Sequence, residues 1–567
     1  MTAPLVIARR RSRRRNDVSG HGWTPRLEAR AKPTCPARLP NSLPPPKFHP
    51  PPNISTDRTP VPAQPDLTGA PGPRCLTKHE FLTGLRCHKA LWWMVHEPLS
   101  PELVPDRSAR ARMEMGRDVG VEARTRVPGG VQIGPAYQGI AARVEATRQA
   151  MSDGAPVIYE ATFHYGDLAV SADILVRERS GWVLVEVKGA TTAKAEYVAD
   201  AAYQAWVAQS AGAEIVGVEV MHLNAECQHP DLETLFVRDD VTGAALVRTA
   251  EFEQEAAEMF AMLDRALPER TIGRHCIDPH DCPFKGRCWP EFPKHHVSTV
   301  YFGRTAWFGW VRDGYHTIHD LPEVFKVPRG GKPAARQIRA VREGRMIVEE
   351  GLAKALDGFR GPLAFLDFET VQPAIPVWRG CKPLEQVAVQ FSCHTEDGAG
   401  GHRHYQWLAD GPDDRRAEMA ARMIEACTGA GAVVAYNMAF ERGCIERLAE
   451  VFPEQADALL DIAARLVDLL PVVRDHVYHP EFGGGFGLKK VLGPLLGERT
   501  HANLGISEGE TASLELTRLL FHGDAVGAQE RAVLREQLLA YCKADTWEMV
   551  RLLRALRALA QSPGMPG

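Results

Sequence analysis

Two groups of acidic residues and one group of cysteines in this 567-residue sequence have the residue types and spacing of metal-binding sites. The first acidic group is Asp173 and Glu186, with Lys188 beside them. The second is Asp367, Glu369 and Asp545, with Tyr541. Carboxylates grouped on strands in this way hold divalent cations against a phosphodiester. The sequence therefore predicts a nuclease with one or two active sites.

The first group belongs to the apolar run WVLVEVKG. Alternate residues of a strand point to opposite faces, so Glu186 and Lys188 share a face. Burying a carboxylate and an ammonium in an apolar strand is costly unless they have a use. Glu186 would ligate a metal ion, Lys188 would steady the attacking hydroxide or the phosphate, and Asp173 would complete the site. The alternative is a surface salt bridge, which contributes little to stability.

Three cysteines, Cys276, Cys282 and Cys288, are spaced evenly, and Cys87 lies far upstream in GLRCHKALWW. Soft thiolates suit iron–sulfur clusters or zinc. A metal group that joined these segments would close a loop of about 190 residues and so remove chain entropy. Cys75 competes with Cys87 for the first position. A third alternative is that the downstream cysteines are buried and free.

The second acidic group begins at the end of the apolar strand PLAFLDFET, where Asp367 and Glu369 share a face. Tyr541 and Asp545 are four residues apart in a helical stretch, so they also share a face. Between these motifs, AYNMAFERGCIERL predicts a strand that runs into a helix, with Glu441 at the junction.

An acid followed by Glu-x-Lys on the next strand and by a helix with Gln204 resembles the RecB-type branch of the restriction-endonuclease-like nucleases. That family often has a histidine or an acid on an early helix, where this chain offers Asp118 or Glu122, so the fourth ligand stays open. One cysteine before and three after such a core resembles the iron–sulfur nucleases of CRISPR adaptation and the AddB helicase–nuclease. The resemblance implies a four-iron–four-sulfur cluster, with zinc as the rival, on Cys87, Cys276, Cys282 and Cys288.

The order Asp-x-Glu, Asn-x-x-Phe-acid and Tyr-x-x-x-Asp resembles the DnaQ-like exonucleases, which have a ribonuclease-H-type fold. The resemblance implies that four acids bind two divalent cations, Mg²⁺ or Mn²⁺, and that a tyrosine orients the attacking water. The third acid is usually aspartate; the longer glutamate here moves the carboxylate about 1.5 Å outward. The implied ligands are Asp367, Glu369, Glu441 and Asp545, with Tyr541 as the water-positioning residue.

Apolar periodicity predicts the elements that must position these residues. We expect helix over 76–93, 114–124, 140–152, 197–211 and 252–267, and strands at 157–166, 168–178, 181–189 and 214–224. A basic helix at 334–345 should be a packing element rather than a nucleic-acid contact. We then expect strands at 363–370, 386–394, 402–408 and 432–436, a helix at 413–428, and mostly helix to about 560. The glycine-rich segment 483–487 leads into Lys489 and Lys490, which could reach phosphate or simply begin a helix.

These elements predict an α/β protein in four parts. Residues 1–75 form a Pro/Arg-rich tail that we expect to be disordered, either a basic arm that grips nucleic acid or a solvated segment. A RecB-like domain with the cysteine cluster (76–290), a helical connector (291–360) and a DnaQ-like domain (361–560) follow. This order resembles a bacterial family that fuses the two nuclease modules.

Composition limits the function classes. No apolar run approaches the 18 or so residues of a membrane span, and the start has too short an apolar stretch for a secretory signal. Twelve cysteines in a chain of ordinary composition fit a reducing cytoplasm. The tail has 13 basic and 4 acidic side chains, so with a total charge of -4 the remaining residues carry -13. An acidic body suits nucleic acid only if bound metal ions supply positive charge.

The predicted function is a cytoplasmic, metal-dependent nuclease. We expect it to act on DNA rather than RNA, as a 3'→5' exonuclease on single strands or ends, by a two-metal mechanism. The alternatives are a nucleic-acid-binding scaffold with degenerate sites and an RNA-processing exoribonuclease. The sequence does not identify protein partners.

Overall fold

The computed structural model describes residues 75–135, 138–497, 505–506, 508–522 and 526–561. These residues belong to one compact unit, residues 71–567. The predicted tail lies outside the described residues, apart from Cys75. Within the described ranges, no helix has both the length and the apolar character that crossing a membrane requires. The predicted mixed α/β class is confirmed.

The N-terminal region, residues 75–290, contains one sheet and the helices packed on it. Its strands are β1 (Leu76–Thr77), β2 (Gly130–Gln132), β3 (Val157–Tyr165), β4 (Leu168–Glu178), β5 (Gly181–Lys188), β6 (Ile215–Leu223) and β7 (Phe236–Asp240). Its helices are α1 (Lys78–Arg86), α2 (His88–His96), α3 (Arg107–Thr125), α4 (Ile140–Ser152), α5 (Ala195–Ser210), α6 (Thr242–Leu263) and α7 (Lys285–Cys288).

The strand order of this sheet is β2-β3-β4-β5-β6-β7, and β1 pairs with β4. Strands β3, β4 and β5 are antiparallel neighbours, whereas β5 and β6 run parallel. The apolar sequence of β5 fits its central position, because a strand covered on both faces needs apolar residues on both. On one face α5 packs with α1 and α6, and the rings of Phe81 and Tyr203 stack with their centroids 4.2 Å apart.

The start of α1 is fixed at two points. The Thr77 side chain accepts a hydrogen bond from the amide of Glu80, and the Glu80 carboxylate accepts one from the Thr77 amide at 2.7 Å. This reciprocal arrangement is a capping box, which satisfies backbone donors at the helix start. Thr77 also pairs with Ala169 in β4. Lys78, the first residue of α1, is therefore held over the sheet.

The connecting region, residues 291–360, contains α8 (Trp307–Arg312), α9 (Gly331–Glu343), β8 (Ile347–Val348) and α10 (Leu352–Ala355). The predicted basic helix corresponds to α9. Its Arg336 is buried and donates to the main-chain oxygens of Arg474, at 2.7 Å, and of Asp475. It also donates to the Glu349 carboxylate at 2.9 Å. This arginine is used for packing, as expected.

The C-terminal region, residues 361–561, contains the second large sheet and most of the remaining helices. Its strands are β9 (Leu363–Val371), β10 (Val387–Glu396), β11 (His402–Leu408), β12 (Ala432–Ala435), β13 (Leu466–Asp468) and β14 (Val477–Tyr478). Its helices are α11 (Arg416–Cys427), α12 (Ala439–Val451), α13 (Ala456–Ala464), α14 (Leu469–His476), α15 (Leu488–Leu496), α16 (Gly509–Phe521) and α17 (Ala528–Gln561).

The second sheet has the order β11-β10-β9-β12-β13. Strands β11, β10 and β9 are antiparallel, and β12 and β13 extend the sheet parallel to β9. Helix α17 crosses one face of the sheet. Gln390 donates to the Leu538 carbonyl at 2.8 Å, and the hydroxyls of Ser392 and Thr546 lie 2.8 Å apart. These buried contacts fix which face of α17 points at β9.

The N-terminal and C-terminal regions share a small apolar cluster. Its buried members are Val119, Leu223, Cys227, Leu235 and Ala374, and Val187 packs against it. Beside the cluster, His229 donates its amide to the Cys381 carbonyl at 3.0 Å, and the Gly380 amide donates to the His229 carbonyl at 2.9 Å. Ion pairs of Arg107 with Glu515 and of Arg112 with Glu510 join α3 to α16. The two sheets are therefore joined by direct contacts.

Candidate functional site

The second acidic group converges at the middle of β9. Asp367 lies opposite Ser392 in the sheet, and Glu369 lies opposite Gln390. Ligand atoms of Asp367, Glu369 and Cys542 all lie within 4.8 Å of one another, and Cys542 belongs to α17. The Cys542 thiol is 3.5 Å from the Asp367 carboxylate. The structure thus brings together side chains that are 175 residues apart in the sequence.

The pKa values of these carboxylates are raised by burial and by the negative charge of their neighbours. Burial and then the Asp545 carboxylate raise the pKa of Asp367 to about 8. Burial, Asp367 and Asp545 raise the pKa of Glu369 well above its ordinary value. Burial and Asp367 are the main causes that raise the pKa of Glu441 to about 9. All four predicted acids therefore belong to one cluster, whose crowded negative charge would be relieved by a cation.

Glu441 lies in the first turn of α12 and is buried, and its Oε2 atom has no hydrogen-bond partner. A buried carboxylate oxygen without a donor is costly. The chain positions this helix through Asp468, which accepts hydrogen bonds from the amides of Asn437 at 2.9 Å and Met438 at 3.2 Å. Asp468 also contributes to the raised pKa of Glu441. The sequence reasoning missed Asp468, although an acid directly after the apolar pair of β13 was a visible signal.

Tyr541 lies beside the acids on α17 and contacts a lysine. The Lys489 ammonium donates to the Tyr541 hydroxyl at 2.8 Å and lies 4.4 Å from the centre of its ring. Lys489, Lys490 and Asp545 line a cleft of about 470 Å³ together with Asp367. The cleft therefore combines acids on one wall with two ammonium groups on another.

A glycine-rich turn brings these lysines to the cleft. Gly484 has φ of +78°, and a side chain there would meet the Thr299 carbonyl oxygen. Glycine adopts this left-handed conformation without strain. Gly487 is the N-cap of α15, so the glycine-rich segment leads directly into a helix with Lys489 in its first turn.

The raised pKa values predict that metal binding and stability depend on pH. Between the ordinary carboxyl pKa of about 4 and pH 8–9, Asp367 and Glu441 keep protons in the folded protein that they lose on unfolding, so the metal-free fold should lose stability as pH rises through this range. Metal binds the deprotonated forms. We expect Mn²⁺ affinity to rise by up to about tenfold per pH unit for each proton released. The measurement is Mn²⁺ titration calorimetry at pH 6.5, 7.5 and 8.5, with thermal unfolding at each pH.

Two variants control this pH experiment. Glu441→Gln should flatten the pH dependence, because it removes one of the titrating groups. Glu446→Gln, an exposed position on the same helix, should leave it unchanged. An Mn²⁺ affinity that stays constant from pH 6.5 to 8.5 would contradict the assignment.

The first acidic group also converges. Ile174 pairs with Val185, so Asp173 and Glu186 lie at adjacent cross-strand positions of β4 and β5. Asp173 accepts the Val187 amide at 2.8 Å. Gln204, on α5, donates to Glu186 Oε2 at 2.5 Å. Burial and Glu186 raise the pKa of Asp173 to about 8. The structure therefore brings these predicted residues together.

Two charged residues that sequence reasoning did not single out complete this group. The Lys188 ammonium lies 2.7 Å from Glu186 and also contacts Asp200 on α5. Lys78 contacts both of the same carboxylates. Burial opposes ionisation of Glu186, but the two ammonium groups hold its pKa well below its usual range. Asp200 lies one helical turn before Gln204, a spacing that the sequence displays; Lys78 is 108 residues from Glu186, and nothing local indicates the contact.

The predicted alternatives for a fourth ligand lie on α3. Glu122 pairs with Arg126 on its own helix at 2.8 Å. Burial and the neighbouring Glu114 raise the pKa of Asp118. Helix α5 contributes both Asp200 and Gln204 to the group, so neither α3 acid is needed to account for the arrangement.

The four predicted cysteines line one small cavity. Cys87 lies at the break between α1 and α2, and the Cys282 amide donates to the Cys276 carbonyl at 2.9 Å. Cys288 ends α7. Burial raises the pKa of the Cys282 and Cys288 thiols. Cys75, the competing candidate, instead lies near Asp167 and Glu80. The structure therefore gathers the set that contains Cys87.

The cavity has a cationic and aromatic wall. Lys89 and Arg287 lie 5.4 Å and 5.2 Å from the ring centre of Trp93. Arg86 donates to the main-chain oxygens of His275 and His280 at 2.5 Å, which fixes the cysteine-rich loop to α1. Such surroundings suit a group of thiolates, whose negative charge needs partners when it is buried.

The structure is similar to a family B DNA polymerase of the hyperthermophilic archaeon Pyrobaculum calidifontis, with 16% identity and a TM-score of 0.24, over 34% of this chain and 24% of the polymerase. It is also similar to the crystal structure of SSO0001, with 12% identity and a TM-score of 0.19, over 40% and 92% of the two chains. At these TM-scores neither structure bears on fold or function here.

No curated protein matches the chain. Residues 364–487, which include Asp367, Glu369 and Glu441, match the family described as Domain of unknown function (DUF2779).

Proposed function

We propose that the protein is a metal-dependent nuclease that hydrolyses phosphodiester bonds at the Asp367 cluster. This cluster consists of Asp367, Glu369, Glu441 and Asp545. The observation that carries this proposal is the convergence of acids from β9, α12 and α17 around one cleft. Gathering several buried carboxylates is unfavourable unless a cation neutralises them. The adjoining lysines suit a phosphate group. A carboxylate cluster beside a phosphate-binding wall is the arrangement that phosphodiester hydrolysis requires.

The residues present fit divalent cations. Glu441 Oε2 is buried without a hydrogen-bond partner, and carboxylate oxygens of Asp367 and Glu369 lie within 4.8 Å of each other, beside the Cys542 thiol. Asp367, Glu369, Glu441 and Asp545 would hold Mg²⁺ or Mn²⁺, hard ions that prefer carboxylate oxygens. When bound, the ions activate water and stabilise the leaving oxygen. Tyr541, held by Lys489, would orient the water, and Lys490 would contact a phosphate of the nucleic acid.

The topology of the second sheet supports a DnaQ-type, ribonuclease-H-like domain. Three antiparallel strands extended by two parallel ones, with acids on the central strand, are what that fold would need. The convergence of Asp173, Glu186, Lys188 and Gln204 likewise supports a RecB-type domain in the N-terminal region. We propose a four-iron–four-sulfur cluster on the four gathered cysteines.

Four thiolates accept an iron–sulfur cluster or zinc, and the iron, sulfide and zinc content of the purified protein distinguishes the two.

Digestion of labelled nucleic acids tests the proposed function. We expect the full chain to degrade single-stranded DNA from the 3' end in Mg²⁺ or Mn²⁺, faster than duplex DNA or RNA, and chelation to stop it. A Glu369→Gln preparation made in parallel identifies contaminating nucleases. Binding without digestion would instead support a scaffold with degenerate sites, and preferential digestion of RNA would support the exoribonuclease alternative.

A further inference from the structure

Lys78 is the feature of the N-terminal region that the proposed function leaves unexplained. Its ammonium lies 3.0 Å from Glu186 Oε1 and 2.9 Å from Asp200 Oδ1. Both carboxylates are buried. The capping box at Thr77 and the pairing of β1 with β4 hold the backbone of Lys78 in place. An ammonium held between two buried carboxylates lies where a divalent metal ion would otherwise bind.

Every oxygen of these two carboxylates has a donor. Glu186 Oε1 receives Lys78 and Lys188, and Oε2 receives Gln204. Asp200 Oδ1 receives Lys78 and Gln204 at 2.9 and 3.2 Å, and Oδ2 receives Lys188. Two ammonium groups thus face the carboxylates of Glu186 and Asp200, and the neighbouring Asp173 accepts the Val187 amide. A divalent cation would have to displace a charged donor and then lie beside the like charge of the other.

The Asp367 cluster differs in this respect. There the buried Oε2 atom of Glu441 has no hydrogen-bond donor. A divalent cation would supply a partner that the chain does not. In the first group the chain supplies the donors itself. The sequence predicted Asp173 and Glu186 as metal ligands, and the donors around Glu186 argue against that role.

We propose that Lys78 is a built-in cation that keeps divalent metal ions out of the first site. This exclusion of metal does not depend on the proposed hydrolysis at the Asp367 cluster.

Mn²⁺ binding to the full chain tests this exclusion. The background is the Asp367→Asn/Glu369→Gln double variant, which removes the second site. We expect this background to bind no Mn²⁺ by electron paramagnetic resonance at concentrations that saturate the wild type. Adding Lys78→Gln should create one Mn²⁺ site per chain, and adding Glu186→Gln as well should abolish it. Lys194→Gln, an exposed lysine just before α5, is the matched control and should create none.

Two results would overturn the proposal. One is a background protein that still binds Mn²⁺ and loses it on Glu186→Gln. The other is a folded Lys78→Gln variant, checked by circular dichroism, that gains no site. If Lys78→Gln does not fold, Lys78→Met replaces it, and the background measurement still decides. Failure of the wild type to digest nucleic acid would leave these binding results intact, so the two proposals fail separately.

Discussion

Replacing Asp367 by asparagine should lower nuclease activity by roughly a thousandfold, because a lost metal ligand removes several kcal/mol of transition-state stabilisation. The change preserves side-chain volume and removes one negative charge from a crowded cluster. The fold should therefore survive, and the metal-free protein should become more stable at alkaline pH. Single-turnover digestion of end-labelled single-stranded DNA, with thermal unfolding in parallel, measures both effects.

Two comparisons make this result specific. Asp457→Asn, an exposed acid on α13, should retain wild-type activity. Lys188→Ala should retain the chemical step, since the first site is not expected to hydrolyse. Activity that survives combined Asp367→Asn and Lys188→Ala substitution would remove both sites from the mechanism.

Replacing Cys276 by serine should abolish the metal group and strongly destabilise the N-terminal region. A link between Cys87 and Cys276 closes a loop of about 190 residues, worth about 5 kcal/mol of chain entropy in a loop-closure model. The serine also leaves a buried polar group in the cavity that Trp93 and Phe284 line. Iron and acid-labile sulfide analysis of anaerobically purified protein should show their loss, together with a lower unfolding midpoint.

The matched control is Cys75→Ser, because Cys75 is the competing thiol and lies near Asp167 and Glu80. It should retain iron, sulfide and the wild-type unfolding midpoint. A colourless wild-type preparation that contains zinc and unfolds at the same temperature would refute the iron–sulfur assignment. Loss of iron on Cys75→Ser would move the first ligand to that residue.

Alternating apolar residues were the most reliable guide to the fold. The strands β3, β4 and β5 end within one residue of their predicted limits, because a period-two pattern in an apolar run is typical of a strand and rare in a helix. The edge strand β7, with the sequence FVRDD, was missed because its polar residues give no such pattern. Helix α6 begins ten residues before its predicted start at 252, in a stretch with weak apolar contrast.

Breaks and contacts set by tertiary structure were harder to predict. The predicted helix over 76–93 is interrupted at Cys87, whose φ of -160° is extended, although no glycine or proline marks the position. The earlier start of α3 could have been found from Asp106, which accepts the Ala109 amide at 2.7 Å. Within the acidic clusters, spacing along strands and helices indicated which residues face together. It could not indicate Lys78, because pairing across 108 residues leaves no local signal.

The amide pairing of His229 with Gly380 and Cys381 bears on how a polymer can enter the molecule. If the two regions moved apart here, two backbone hydrogen bonds would break, and Leu223 and Ala374 would be exposed to water. The N-terminal and C-terminal regions should therefore move as one rigid body. A nucleic acid must then adapt its shape to a fixed protein surface. Flexible single strands do this at little elastic cost, whereas a duplex with a persistence length of about 150 base pairs does not.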